Sequence, residues 1–470
     1  MRPPIVSEQS LLARRSCALL TALLVLGGAW VLPAPAQTQP APSLRADTTA
    51  VLSLSVDDAL RRAQSQSFPV RSAEAQRRAA TARKRQSLGV FLPQVTAREQ
   101  ALFTTDPVNA FGSTLRQERF TQADFEPDAL NTPDRVDLYG TQLEVQQPIL
   151  NLDGLFERRA AADAARAAGY RAERTEAVVS FRVKKGYYGL LLAERQVGVI
   201  DSALAAARAN RDQAQALFDE GIINRADRLA AEVRVSELES QRTEAMARRE
   251  NAADQLRFLI GVEEDVRIAP TDSLVREPAS VGRVSLRAVN QRRSDMRALR
   301  ARADAAREQT RSRWLAFVPT LNAQGTAGWY DDTPFGTNGQ SWTAGVSLSW
   351  SLFEGFQQIG RAQEAEAKQQ RAQVALEQQA LQNEVELSEA RRDLESARTR
   401  ITQARRAVEQ AEESLRIRSD RYAEGLARTT DLLQAEATLA ERRLAYLRAL
   451  YQHNVAVYRL ELLTEQSMTR

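Results

Sequence analysis

The chain has 470 residues, 64 Lys and Arg against 60 Asp and Glu, one His and one Cys. Residues 1–36 hold Arg2, Arg14 and Arg15 against Glu8, so their removal would lower the formal charge from +4 to +2, which excludes the strong basic field that nucleic-acid binding needs. Few aromatics and abundant Ala, Arg, Glu, Gln and Leu favour long helices with narrow apolar seams over a thick globular core.

Residues 1–36 read as a secretory signal. Arg14 and Arg15 precede an apolar run from Cys17 to Leu32, and Ala34-Pro35-Ala36 fits a small-residue cleavage site. Cys17 opens that run instead of following it, which argues against a lipid anchor. The exported chain would then lack cysteine, and with it disulfides, thiol chemistry and a zinc cluster. No later stretch is apolar for long enough to form a transmembrane helix. Residues 37–53 read as a linker.

Two structural repeats follow, predicted over 54–284 and 285–463, with a tail at 464–470. The first opens with a half-length helix, Val56–Leu88, and then a strand at about 92–104 with Val95, Ala97, Ala101 and Phe103 on one face. After the span Thr105–Asp137 comes a second strand, about 137–149, with Tyr139, Thr141, Leu143 and Val145. A long helix from Gly154 to about Glu220 would extend roughly 100 Å. A turn near 220–227 reverses the chain into a helix from Asp227 to about Ile260, and residues 262–284 connect to the second repeat.

That repeat begins with a helix over Leu286–Trp314 and strands at about 318–330 and 341–353. The second strand places Trp342, Ala344, Val346, Leu348 and Trp350 opposite small or polar residues. Trp329, Trp342 and Trp350 are the candidate aromatic girdle of a membrane sheet. A soluble hairpin packed on the helices is the other reading, but the helices' narrow seams are already committed to one another. The second long helix runs from about Gln357 to Arg421, its turn lies near 422–431, and its return helix covers Asp431 to about Leu463.

The copies align independently at seam and turn. Leu387, Leu394, Ile401, Val408 and Leu415 recur every seventh residue, with Ala390, Ala397, Ala404 and Ala411 three later. Val183, Leu190, Val197 and Leu204 do the same, with Gly186, Ala193, Ile200 and Ala207. Val183 to Leu387 and Gly221 to Gly425 are both shifts of 204 residues, whereas Phe91 to Phe317 is 226, because the first copy has the longer loop between its strands. Such heptads predict left-handed coiled-coil packing, and two half-length helices stacked end to end would match one long helix. Four strands with open edges cannot cross a bilayer alone, so closure needs several chains. Two would give eight strands and a nearly filled interior, three would give twelve and a wider lumen.

Phe91-Leu92-Pro93, Gln147-Pro148-Ile149-Leu150, the two segments Glu220-Gly221-Ile222 through Asp227 and Glu424-Gly425-Leu426 through Asp431, and the stretch Phe111-Gly112 through Gln117 to Asn131-Thr132-Pro133-Asp134 together resemble the outer membrane efflux proteins of the TolC type. The resemblance covers nearly all of the exported chain. It implies a homotrimer with a 12-stranded outer membrane β-barrel continued by a 12-helix periplasmic tunnel. It also implies docking to a periplasmic adaptor and an inner-membrane transporter, for drug efflux, metal-ion efflux or type I protein secretion alike. Such a protein is a passive conduit in the outer membrane of a Gram-negative-type bacterium, not an enzyme, and needs no cofactor.

The resemblance also places functional residues at the tips. The closing network falls on Asp227 and Tyr422, while its Arg position falls on Ala427, with Arg428 next to it. The constriction falls on Asp431, whose three copies would attract cations, and its second acidic position falls on Gln434. Gly221, Ile222, Gly425 and Leu426 would form the adaptor-docking tip. Simpler structural readings stand beside these: Asp431 and Gln434 as a helix capping box, Asp227 as a cap, Tyr422 as seam packing, and the glycines as turn residues. His453, mid-helix, is expected to pack or face solvent. The competing function is a periplasmic coiled-coil adaptor or scaffold, which would usually show one helical hairpin flanked by soluble β domains.

Overall fold

A computed structural model describes residues 50–262, 266–278 and 284–465. The expected signal peptide, most of the 37–53 linker and nearly all of the tail lie outside these residues.

The order along the chain is β1 (Ala50–Leu54), α1 (Val56–Gln66), α2 (Phe68–Gln86), β2 (Gln94–Thr104), α3 (Pro107–Arg116), α4 (Pro127–Asn131), β3 (Val136–Leu150), α5 (Leu152–Asp219), α6 (Arg225–Ile260), β4 (Val266–Pro270), α7 (Leu286–Arg292), α8 (Ser294–Leu315), β5 (Thr320–Asp331), β6 (Gly339–Ser349), α9 (Gln357–Ala423) and α10 (Thr429–Thr464). α5, with 68 residues, extends about 100 Å at 1.5 Å per residue.

Helices pack as four columns. α5 is central, with α2 and α6 along one side and α8 and α10 along the other; α9 lies beyond α8 and α10. Each composite column is thus two half-length helices beside one long helix. The heptad residues face these contacts: Val183, Leu190, Leu204, Leu387, Leu394 and Ile401 are buried. Gly186 marks a close approach, since a Cβ there would stand 3.2 Å from Leu259 Cδ1.

β2, β3, β5 and β6 form one antiparallel sheet in that order, with β2 and β6 at its edges. All four strands join helices at one end of the sheet and loops at the other. Register sorts the side chains into two faces. One carries the rows Gln94–Gln146–Gln324–Gly345, Thr96–Glu144–Thr326–Thr343 and Arg98–Gln142–Gly328–Ser341. The other carries Val95–Val145–Gly325–Ala344 and Ala97–Leu143–Ala327–Trp342.

Four sequence expectations need correction. Each repeat's opening helix is two helices, broken at Ser67 (ψ 136°) and at Arg293 (ψ 128°). At Ser67 the chain must admit Pro69, whose ring cannot continue a helical turn. Arg293, 226 residues later, leaves the helix to bury its guanidinium, only 2% exposed, against Asp295 at 2.6 Å and Glu386 at 3.2 Å. The end of the 37–53 linker is not a linker but β1, which pairs in parallel with β4 inside the 262–284 connector, from Ala50↔Val266 to Leu54↔Pro270. The last strand ends at Ser349, short of 353, because the chain turns at Ser351, whose hydroxyl donates to Glu354, and passes Gly355 at φ +57°.

Polar clamps fix this β1/β4 region to the middle of the columns. The Tyr187 hydroxyl lies 2.8 Å from the Leu54 carbonyl and 2.7 Å from Asp272, and burial, reinforced by Asp272, pushes its pKa up to about 12. Asn454 accepts from the Glu277 N–H and donates to the Val275 carbonyl. His453 packs instead of facing solvent: it is buried, and burial lowers its pKa.

Candidate gating and docking site at the helical tips

Both helical hairpins reverse by the same device. Gly221 N–H donates to the Phe218 carbonyl and Ile222 N–H to Leu217; Gly425 N–H donates to Tyr422 and Leu426 N–H to Arg421. This double bond pattern is the Schellman ending, and it needs a left-handed residue after the helix. Gly221 at φ +70° and Gly425 at φ +71° supply it without a Cβ penalty. The residue after each glycine then projects outward: Ile222 and Leu426 are each 64% exposed. Two apolar side chains thus stand exposed at equivalent places.

The two expected aspartate caps are not caps. Asn224 caps α6, its side chain accepting the Asp227 N–H at 3.0 Å, and Arg428 takes the cap position of α10 with no side-chain cap bond. Asp227 and Asp431 are each the third residue of their helix, 204 residues apart, where a carboxylate meets the positive end of the helix dipole. No capping box forms between Asp431 and Gln434, and Gln434 stays exposed.

Beyond the turn the tips differ. In the second, Arg418 reaches Asp431 at 4.0 Å, both about half exposed, and the Tyr422 hydroxyl lies 3.4 Å from the Thr429 hydroxyl. In the first, Arg228 Nη1 donates to Gln215 Oε1 at 3.1 Å, and the guanidinium lies 5.3 Å from the centre of the Phe218 ring. Among the described residues no hydrogen bond or ion pair joins Asp227 to Tyr422 or Arg428, so the three do not form a network within one chain. Beside the second tip opens a cleft of about 790 Å³, whose lining includes Arg406, Glu413, Ile417, Arg418, Leu426 and Asp431.

Sequence reasoning missed Arg418. The signal was available: in an antiparallel hairpin, residues nearly equidistant from the turn meet, and Arg418 and Asp431 flank Gly425 as Gln215 and Arg228 flank Gly221. It also missed exposed apolar residues beside the sheet. Trp342 is 80% exposed on the apolar face, and Trp350 is exposed just beyond β6, its indole N–H donating to the Phe317 carbonyl at 3.0 Å. Trp329, on the same face as Trp342, is half-buried. At the helix end Leu92, Ile149, Leu352, Phe353 and Phe356 are exposed as well, so that boundary is apolar beyond tryptophan alone. Eight residues separate Trp342 from Trp350, roughly 27 Å along a strand, comparable to the apolar band of about 25 Å on membrane barrels.

Residues 286–465, which make up almost all of the second repeat, match the family model of outer membrane efflux proteins. No curated protein matches the chain by sequence. Among solved structures, a membrane protein from Pseudomonas aeruginosa superposes with a TM-score of 0.76 at 17% identity, over 92% of this chain and 99% of that one. The Campylobacter jejuni CmeC outer membrane channel gives 0.75 at 15% identity, over 87% and 85%. The open state of the Neisseria gonorrhoeae MtrE outer membrane channel gives 0.72 at 17% identity, over 87% and 88%. At such identities these likenesses establish the fold. The second repeat is thus similar to outer membrane efflux proteins, and the chain over most of its length shares the fold of the outer membrane channels named here.

Proposed function

We propose that three copies close one 12-stranded barrel continued by a 12-helix tunnel, and that this trimer is the passive outer membrane conduit of a tripartite efflux or type I secretion system. The observation that carries the reading is the sheet: one polar face, one exposed apolar face and two unpaired edges, β2 and β6. A single copy would leave backbone groups of both edges unpaired in hydrocarbon, and closure removes that cost. The columns support the same assembly. The outermost helix, α9, exposes Val374, Leu381 and Val385, and the opposite column exposes Phe68, Val233 and Phe258. Head-to-tail contact between copies would cover both.

In this reading Ile222 and Leu426, set by Gly221 and Gly425, receive the periplasmic adaptor, which with the inner-membrane transporter opens the tunnel. Asp227, Tyr422 and Arg428 act between chains in closing it, and Asp431 with Gln434 lines the constriction. The conduit does no chemistry. Trp329, Trp342 and Trp350 seat the barrel in lipid.

The test is the mass and conductance of protein extracted from outer membranes. A complex of three chains that passes ions in a planar bilayer is expected. A monomer, or recovery only from the soluble periplasm, overturns the reading.

A further inference from the structure

The loops at the far end of the sheet are unequal. Residues 105–135 join β2 to β3, whereas only 332–338 join β5 to β6. The longer segment is folded. Asp106 caps α3 by accepting the Asn109 N–H at 2.9 Å, Pro107 occupies the first helical position, and Ala110 and Ser113 are buried. Phe111, Phe120 and Phe125 then form a chain of edge-on ring contacts, each 4.9 Å between centres.

This unit lies on the polar face of the sheet. Gly140, Tyr330 and Gly339 occupy one cross-strand row there, next to the row of Arg98, Gln142, Gly328 and Ser341. The Arg116 guanidinium stands 5.5 Å from the centre of the Tyr330 ring, and that tyrosine is buried. The Gly339 backbone lies so close to the Arg116 carbonyl that no Cβ would fit between them. Gln117 Nε2 donates to the Asp137 carbonyl at 2.7 Å, Arg119 pairs with Asp332, and Gln340 N–H donates to Glu118 at 3.4 Å. The insert of the first repeat is therefore fastened to the turn of the second, across the face that lines the lumen in the proposed barrel.

We propose that this insert is an outer lid: in the assembled barrel three copies of α3 and its aromatic cluster narrow the external mouth. The inference rests on the barrel reading, because only there is the polar face a passage. Its fastenings are those of a movable part. The Arg119–Asp332 pair is half exposed on both sides, and such pairs hold weakly. Buried apolar contact with the sheet is confined to a few residues near Leu138 and Tyr330.

Cys17 is the only cysteine of the chain, so thiol accessibility reports cleanly in a Cys17→Ser background. Thr326→Cys places a thiol on the polar face, four residues along β5 from Tyr330. Intact cells are treated with a small hydrophilic maleimide or with a bulky polyethylene-glycol maleimide. The small reagent is expected to label the thiol and the bulky one to label it slowly. Arg116→Ala with Arg119→Ala removes one cation–π contact and one ion pair, and should speed the bulky reagent by about tenfold. Replacing residues 107–132 with a short Gly-Asn turn should do at least as much. Equal bulky-reagent rates in parent and both variants, with the small reagent reaching the thiol in each, would overturn the lid and leave the barrel standing. A thiol unreactive to the small reagent even in the shortened chain would overturn the barrel reading, and the lid with it.

Discussion

Arg293→Met tests whether the break in the second repeat's opening helix is held by charge. The guanidinium is 2% exposed, while Asp295 and Glu386 keep 22% and 27% of their side-chain surface. Burial works against ionisation of Arg293, yet its bonds to both carboxylates outweigh that and raise its pKa. Removing one member of a buried ion pair costs about 3–5 kcal/mol, because the other charges stay behind without a partner. The partial exposure of both carboxylates, and Arg174 at 3.4 Å from Asp295, point to the lower end, about 3 kcal/mol. Replacing the whole set by Arg293→Met, Asp295→Asn and Glu386→Gln should recover most of the loss, since a neutral set of similar volume is often as stable as the buried ions. Arg174 keeps Glu465 at 3.0 Å in that triple variant. Urea unfolding in detergent, followed by tryptophan fluorescence at fixed protomer concentration, measures both. A single variant that loses less than about 1 kcal/mol, or a triple variant no better than the single, would refute the reasoning.

Three further predictions use other parts of the chain. Asp431→Asn should weaken block by multivalent cations added from the periplasmic side by roughly tenfold, and Arg418→Ala should strengthen it, because Arg418 offsets that carboxylate; planar-bilayer recordings showing no change in either would remove Asp431 from the constriction. Val346→Arg, mid-sheet on the apolar face, should cost about 2–4 kcal/mol of folding in lipid and Trp350→Arg, at the boundary, about 0–1; equal costs in urea titrations of liposome-folded protein would contradict the membrane band. Asp295 supplies a pH signature. Burial opposes its ionisation, but the hydrogen bond from Arg293 and the charge of Arg174 outweigh it and lower its pKa. Its contribution is therefore complete above the unfolded value of about 3.9 and fades as pH falls below that through the folded value; the unfolding midpoint of Asp295→Asn should vary less with pH than the parent's over that range.

Much of the architecture was legible because period and length carry it. Heptads at Val183 and Leu387 marked the columns, and alternation around Val346 marked the sheet, since each pattern admits one apolar face. Gly221 and Gly425 were legible as turns because the repeat aligned them. What stayed hidden depends on partners far apart in sequence. β1 and β4 are five residues each and pair across 216 positions, too short to show a period. Arg293 looks like one more helical arginine until Glu386 is brought beside it. Both aspartates looked like caps because Asp is a good cap, but Asn224 took that place in the first tip, and at Arg428 the turn left a residue whose side chain makes no cap bond. The 105–135 segment had no counterpart in the second repeat, so the repeat could not predict its fold or the face on which it rests.

The duplication gives the two tips one turn in different surroundings. Positions 204 residues apart share the turn but not its fastening. Ala214 is fully buried where the second copy has the exposed Arg418, and Leu432 is buried where the first has Arg228. The first tip therefore closes on itself, with Arg228 laid against Phe218. The second leaves Ile417 and Leu426 exposed beside a charged cleft, where the half-exposed pair Arg418–Asp431 and the Tyr422–Thr429 hydroxyl contact lie. Local opening costs least where few apolar contacts are buried. Towards its tip α9 also loses its seam, from the buried Ile401 to the half-buried Val408 and Leu415. The two arms of the second hairpin differ in this respect: α9 thins towards the turn, whereas Leu432, Leu433 and Ala435 at the start of α10 are buried.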